Sequence, residues 1–181
     1  MALVLAEISE YLTLNGLPWL LLSWGSIYIF RPFVTIIHEF GHAIPAAIFT
    51  SQTVQINVGA GERSLNFNIK SLKLEISFKK MICGYTAFLD TNLTKFQLAL
   101  IYATGPIFSF FAGTVGLSLI YITNLNIALY ALLVGWVCSN LLCLLRNLLP
   151  LHLQVPGSNS VPSDGLQIVK IIMGKLPRDL D

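Results

Sequence analysis

Three stretches of this chain are long and apolar enough to cross a lipid bilayer, and this limits its fold more than any other feature. A hydrocarbon core about 30 Å thick needs roughly 20 apolar residues of helix. Leu17 to Phe49, Phe96 to Ile122 and Ile127 to Leu149 each meet that length. Charged residues make up 11% of the chain and hydrophobic ones 55%. A soluble domain carries about 25% charged residues, so too few are present to coat a water-facing surface. That balance excludes a disordered chain, an ordinary soluble enzyme and a nucleic-acid binder with a basic surface. The net charge of +2 names no partner. At 181 residues one domain is expected. Cys83, Cys138 and Cys143 form no CxxC pair, which argues against a disulfide framework or a cysteine zinc site. Glu7 and Glu10 precede the first basic residue, Arg31, so the N-terminus does not read as a cleaved signal peptide.

The first stretch is too long for one crossing. About 33 residues of helix cover roughly 50 Å. Arg31-Pro32 offers a break: residues 32–50 form the span, with Arg31 at one membrane face. Residues 17–30 are then a continuation, a kinked extension or a re-entrant piece. A separate crossing by residues 10–30 would need a very tight turn. Thr94 with Gln97 resembles a capping box opening the second span, and Asn124-Leu125-Asn126 is the turn into the third. Between the first two spans the pattern changes. Leu72, Leu74, Ile76 and Phe78 alternate with Lys73, Glu75, Ser77 and Lys79, and Leu65, Phe67 and Ile69 also alternate. Period two predicts half-buried strands, three or four of them, lying against the membrane. This segment holds Arg63, Lys70, Lys73, Lys79, Lys80 and Lys95 against Glu62, Glu75 and Asp90. By the positive-inside rule it is cytoplasmic, and the acidic N-terminus is outside. Residues 150–163 read as loop, and a short helix from about Asp164 to Lys175 lies at the interface.

The fold expected is therefore an α-helical integral membrane protein. It has about three transmembrane helices, a small membrane-proximal β-sheet and a short C-terminal interfacial helix. Residues 1–181 form a single domain: an arm or helix extension over 1–31, the motif-bearing helix over 32–50, the β segment over 51–93, a helical hairpin over 94–149, and a loop with the last helix over 150–181.

The chemistry is concentrated in His38-Glu39-Phe40-Gly41-His42, an HExxH sequence. On a helix, positions i and i+4 share a face, so both imidazoles reach one metal ion. Glu39 is placed beside them to take a proton from an activated water. An ionisable group inside an apolar helix costs roughly 2.5–3.5 kcal/mol on insertion scales, and a bound metal would offset that. The plainer reading is a histidine pair satisfied by backbone or belonging to a proton relay. Counting back from Thr50, His38 and His42 lie roughly 12–18 Å inside the cytoplasmic end of the helix. Catalytic zinc needs a third protein ligand and an open position. Spacing ranks Asp164 first, His152 second and Asp90 third. Gly105, Ser109 and Gly113 form a small-residue stripe suited to close helix packing, and Pro45 interrupts the backbone bond to Gly41.

An HExxH in an apolar helix, followed by Asn147-Leu148-Leu149-Pro150 and then Asp164-Gly165, resembles the site-2 protease family of intramembrane zinc metalloproteases. Thr104-Gly105-Pro106 and Cys83-Gly84-Tyr85 are similar to two further motifs of that family. The resemblance covers about residues 32–170. It implies zinc held by His38, His42 and Asp164, with Glu39 as general base and then proton donor. It places Asn147 near the substrate or the ligand loop; a plain helix cap before Pro150 is the other reading. Two departures stand out. Thirteen residues, Leu151 to Ser163, separate Pro150 from Asp164, where the family commonly has a much shorter spacer. Ser109 stands where the family often has an asparagine that helps hold substrate or water.

The function expected is intramembrane proteolysis of a transmembrane or membrane-anchored substrate near the cytoplasmic face. An edge strand within 65–79 or 83–89 would pair with the unwound substrate. The expected partners are the bilayer and a membrane-protein or membrane-peptide substrate, with no nucleic acid. Three spans are few to enclose a site, so a homo-oligomer or a partner membrane protein is also considered. A metal-binding relative that holds membrane helices without cutting them is the alternative. A small transporter is disfavoured by the lack of a repeated half.

Overall fold

The computed structural model describes residues 16–89, 92–153 and 160–174. The acidic N-terminal arm, Asp90 and the end of the expected last helix near Lys175 lie outside these residues. Three long helices carry the structure: α1 (Leu17–Thr50), α2 (Lys95–Ile122) and α3 (Ile127–Leu148). All three are long and apolar enough to cross a membrane. Two strands, β1 (Val54–Ile69) and β2 (Leu72–Ala87), separate α1 from α2. A minimal hairpin of β3 (His152–Leu153) and β4 (Val161–Pro162) precedes the short helix α4 (Asp164–Ile172).

The anticipated break at Arg31-Pro32 does not occur. α1 runs through both Pro32 and Pro45 as one helix of 34 residues. Residues 17–30 are thus a continuation of the motif-bearing helix. A membrane helix tolerates proline where packed neighbours and hydroxyl side chains compensate the freed carbonyls. Between the two prolines Thr35 Oγ1 bonds back to the Arg31 carbonyl at 2.9 Å, one turn earlier in the same helix. α2 begins as its sequence predicts: the Thr94 hydroxyl accepts from the Gln97 N–H, and the Gln97 side chain accepts from the Thr94 N–H. Asn126 caps α3 through the Leu129 N–H.

The helices meet at small residues. Gly41 of α1 lies against Thr104 and Gly105 of α2, where an added Cβ would sit 2.6 Å from the Thr104 carbonyl oxygen. Gly135 of α3 lies against Ser23 and Ser26 of α1. Such close approach is what small residues provide between helices that share no hydrophobic driving force in lipid.

The sheet is built from four pairing segments, because each long strand bends and changes partner. Residues 54–58 pair in parallel with 72–76 on one side and antiparallel with 84–87 on the other. Residues 64–69 pair antiparallel with 72–77 through a tight turn at Lys70-Ser71. The spatial order is 64–69, 72–77, 54–58, 84–87. β1 changes partner at Gly59, whose φ of 82° brings its backbone against the Ser77 and Lys79 carbonyls. The most buried segment is not the one with the longest alternation. Val54, Ile56 and Val58 are the ones fully buried, packed with Ala43 and Ala46 of α1, Leu98 and Ile101 of α2 and Ile171 of α4. Leu65, Phe67 and Ile69 are exposed because 64–69 is the outer edge, farthest from the helices.

Residues 150–163, read as loop, contain the β3–β4 hairpin, and this resolves the long spacer. The Ser163 N–H donates to the Leu151 carbonyl at 2.9 Å. The Ser163 hydroxyl donates to the Leu149 carbonyl at 2.6 Å and accepts from the Leu151 N–H at 3.1 Å. The same oxygen accepts from the Leu166 N–H, as an N-cap of α4. The chain thus leaves after Leu151 and returns at Ser163 to the same place, so the extra residues do not separate Pro150 from Asp164 in space. Gly165 then lies so close to the Leu148 carbonyl that any Cβ there would overlap it.

Gly165→Val is therefore expected to push α4 off α3 and destabilise the protein by about 1–3 kcal/mol. The thermal midpoint of detergent-purified protein reads this. Gly25→Ala, with nothing within 4 Å of the added carbon, should leave the midpoint unchanged.

Candidate metal centre

His38 and His42 stand one turn apart on α1, and α4 brings Asp164 to them. The three residues offer ligand atoms within 4.8 Å of one another. His38 Nε2 and His42 Nε2 lie 3.1 and 3.3 Å from Asp164 Oδ2 and 3.2 Å from each other. Two donors bound tetrahedrally at zinc distances are roughly 3.3 Å apart, so the triangle has the edge lengths of a zinc site. All three residues belong to the described part of the chain, and among the described residues no other such group occurs.

The far side of each ring is engaged. His42 Nδ1 bonds the Ile101 carbonyl at 2.7 Å, so it carries the hydrogen and leaves Nε2 as a lone pair. His38 Nδ1 bonds Ser109 Oγ at 3.1 Å, and the Ser109 hydroxyl faces Cys143 Sγ at 3.7 Å. Asp164 Oδ2 is buried with no hydrogen-bond donor of its own. With both Nε2 atoms unprotonated, three acceptor atoms at this spacing repel one another unless a cation lies among them. Burial alone would raise the Asp164 carboxyl, but the His42 and His38 imidazoles outweigh it and hold it at about 2. The donor set, the ring orientations and the orphaned oxygen therefore fit a divalent cation such as zinc.

Glu39 is buried beside the triangle without joining it. Its Oε2 accepts from Thr86 Oγ1 at 2.8 Å, and the same hydroxyl reaches the Glu39 carbonyl at 3.1 Å. Gly84 makes this contact possible, since a Cβ there would sit 2.9 Å from Glu39 Cγ. Gly105 has the matching role under His42, where a side chain would overlap the ring. A cavity of about 250 Å³ opens over His38, Glu39, His42 and Asp164.

The remaining sequence candidates fall as follows. Ser109 is fully buried on the His38 ring. Asn147 lines the cavity, but its amide turns back to the Cys143 carbonyl at 3.0 Å and Cys143 Sγ at 3.4 Å. It does not cap α3, whose C-cap is Leu149. His152 is exposed on β3 and outside the triangle. Four cavity residues escaped the sequence reading in this role. Arg31 and Arg146 had a visible signal, as lone cations in apolar helices. Thr86 and Gln167 had none, because strand pairing and the turn of α4 bring them in. Gln167 Oε1 is buried without a partner in the cavity wall.

The imidazole pair, the carboxylate and the adjacent glutamate are set among three helices long and apolar enough to cross a membrane. The chain belongs to the Peptidase M50B-like family, whose family model matches residues 12–156. This bears out the resemblance of its motifs to the site-2 proteases. The matched span takes in HExxH and Asn147 to Pro150 and stops short of Asp164. No curated protein and no solved structure matches the chain.

If the triangle is the metal site, purified wild type is expected to carry about one zinc per chain. Asp164→Ala should lose it and His152→Ala should keep it, as measured by elemental analysis of detergent-purified protein. Ser163→Ala, which removes the cap and the clamp on Leu149, should cost about 1 kcal/mol of stability and lower zinc occupancy.

Proposed function

We propose that this protein is a zinc-dependent intramembrane metalloprotease that cuts transmembrane or membrane-anchored chains near the cytoplasmic face. Zinc would be held by His38, His42 and Asp164. The observation that carries this reading is the Glu39 carboxylate, fixed by Thr86 at the edge of a three-donor site whose far ring nitrogens are already engaged. Bound there, zinc would supply a Lewis acid that polarises a peptide carbonyl and acidifies a water molecule.

The chain's own groups do the rest. Thr86 holds one oxygen of Glu39, so the carboxylate has a fixed direction. Glu39 takes the proton of the attacking water and returns it to the leaving amide nitrogen. Ile101 and Ser109 keep the imidazoles turned to the site. Ser109 serves here through His38 rather than by touching substrate. Asn147, on the cavity wall, would turn from Cys143 to bond a substrate carbonyl.

Substrate presentation falls to the sheet. A helical peptide bond is internally hydrogen-bonded and closed to attack. Residues 84–87 pair with 54–58 on one side only and line the site through Gly84, Tyr85 and Thr86. An unwound substrate segment adding to that edge lies along Glu39 and the three donors. The basic residues between α1 and α2 support a cytoplasmic position for the sheet.

Glu39→Gln is expected to keep zinc and lower cleavage of a membrane substrate by about 10²- to 10⁴-fold. Elemental analysis and gel detection of the fragments check this. A Glu39→Gln protein that retains its full cellular effect would favour the non-cleaving alternative. Tyr85→Pro should lower cleavage with zinc content intact; unchanged cleavage would remove the edge-strand step.

A further inference from the structure

Two arginines face the same cavity as the three donors: Arg31 from α1 and Arg146 from the last turn of α3. A guanidinium stays charged in any protein environment, and one set among apolar helices marks a functional contact by default. Both carboxylates of the cavity are engaged elsewhere. Glu39 is held by Thr86, and Asp164 faces His38 and His42. Among the described residues, the ion pairs are those two imidazole–Asp164 contacts, and neither arginine takes part in one.

The shared cavity separates the sources an anion could come from. The Phe30 ring packs edge-on against Trp136 with centroids 5.3 Å apart. Trp136 lies in the middle of α3, whose 22 residues cover about 33 Å, close to the thickness of a bilayer core. Arg31 follows Phe30 on α1 and lines the cavity that holds the three donors, so a chain seated at the donors reaches it. Arg146 lies nearer the end of α3. Cys143 and Asn147 line the same cavity, as do Thr35 and Gly84, which touch where α1 meets the edge strand.

We propose that Arg31, assisted by Arg146, binds a carboxylate on the substrate chain itself, so that the protease selects segments carrying an Asp or Glu near the bond it cuts. This rests on the proteolytic reading of the site. Arg31 precedes His38 by seven residues, about 10 Å along α1. An extended chain advances about 3.3 Å per residue, which puts the acidic residue within about three residues of the cut. An acidic side chain in a membrane segment is itself costly to bury unpaired. The guanidinium receives it, so recognition is strongest for segments that are poor membrane residents. Bidentate geometry makes Arg31 a specificity-determining residue rather than a catalytic one.

The test uses zinc-loaded Glu39→Gln protein in neutral-detergent micelles, so that binding is read without cleavage. The probes are two fluorescent apolar peptides of 20 residues, identical but for a central Asp or Asn, followed by anisotropy. The Asp peptide is expected to bind about tenfold tighter, the size of one charge-assisted hydrogen bond over a neutral one. Adding Arg31→Gln should erase the difference, and Arg31→Glu should reverse it in favour of the Asn peptide. Arg31→Lys, which keeps the charge without the fork, should retain part of the preference and guards against misfolding, as does unchanged circular dichroism. Equal binding of the Asp and Asn peptides would overturn the inference. So would Arg31 variants that alter only binding to anionic phosphatidylglycerol vesicles, which would make the pair a lipid site. Failure of the protease reading is seen separately. Arg31-dependent binding of the Asp peptide, with no cleavage of it by the zinc-loaded wild type, would sink proteolysis and leave the anion site standing.

Discussion

Three acceptor atoms meeting in an apolar interior constrain the rest of this protein. His38 Nε2, His42 Nε2 and Asp164 Oδ2 lie 3.1–3.3 Å apart, and as unprotonated acceptors they repel. Holding them together requires that each side chain be fixed from behind. Ile101 and Ser109 do this for the rings. The Ser163 clamp on Leu149 and Leu151 does it for the aspartate. Those anchors belong to α2 and to the end of α3. The cluster is therefore also what ties the three helices and the C-terminal segment into one unit.

Close approach follows from the same demand. Gly41 and Gly105 let α1 and α2 touch backbone to backbone, and Gly105 leaves the space that the His42 ring occupies. Gly84 lets the edge strand reach Glu39, and Gly165 lets α4 sit on the end of α3. In each case an added carbon would overlap a group that the site needs. These glycines are steric conditions for assembling the cluster from four separate elements. Their positions beside His42, Glu39 and Asp164 reflect that.

The sheet adds a different capability. Its inner segment, 54–58, is buried against the helices, and its outer segment, 64–69, is far from the site. Among the described residues, only 84–87 combines an unpaired edge with contact to Glu39. Under the proposed reading such an edge would serve an unwound substrate, whose backbone groups lose their helical partners and require others.

The sequence alone determined what depends on local pattern. Long apolar runs, scarce charge and the i, i+4 pair His38 and His42 specify membrane-length helices and a shared histidine face, because hydrophobicity and helix periodicity are properties of neighbouring residues. The Thr94–Gln97 cap was legible for the same reason. The continuity of α1 through Pro32 was not, since whether a proline breaks a membrane helix depends on what packs around it. Spacing ranked Asp164 first, although the thirteen residues after Pro150 depart from the family's shorter spacer. Only the β3–β4 hairpin, formed by residues on both sides of the spacer, brought it back to the histidines. The buried strand 54–58, the Thr86 contact with Glu39 and the facing of Arg31 and Arg146 into one cavity are likewise decisions of tertiary structure. Each joins residues from different elements, and no periodicity within one element encodes such a meeting.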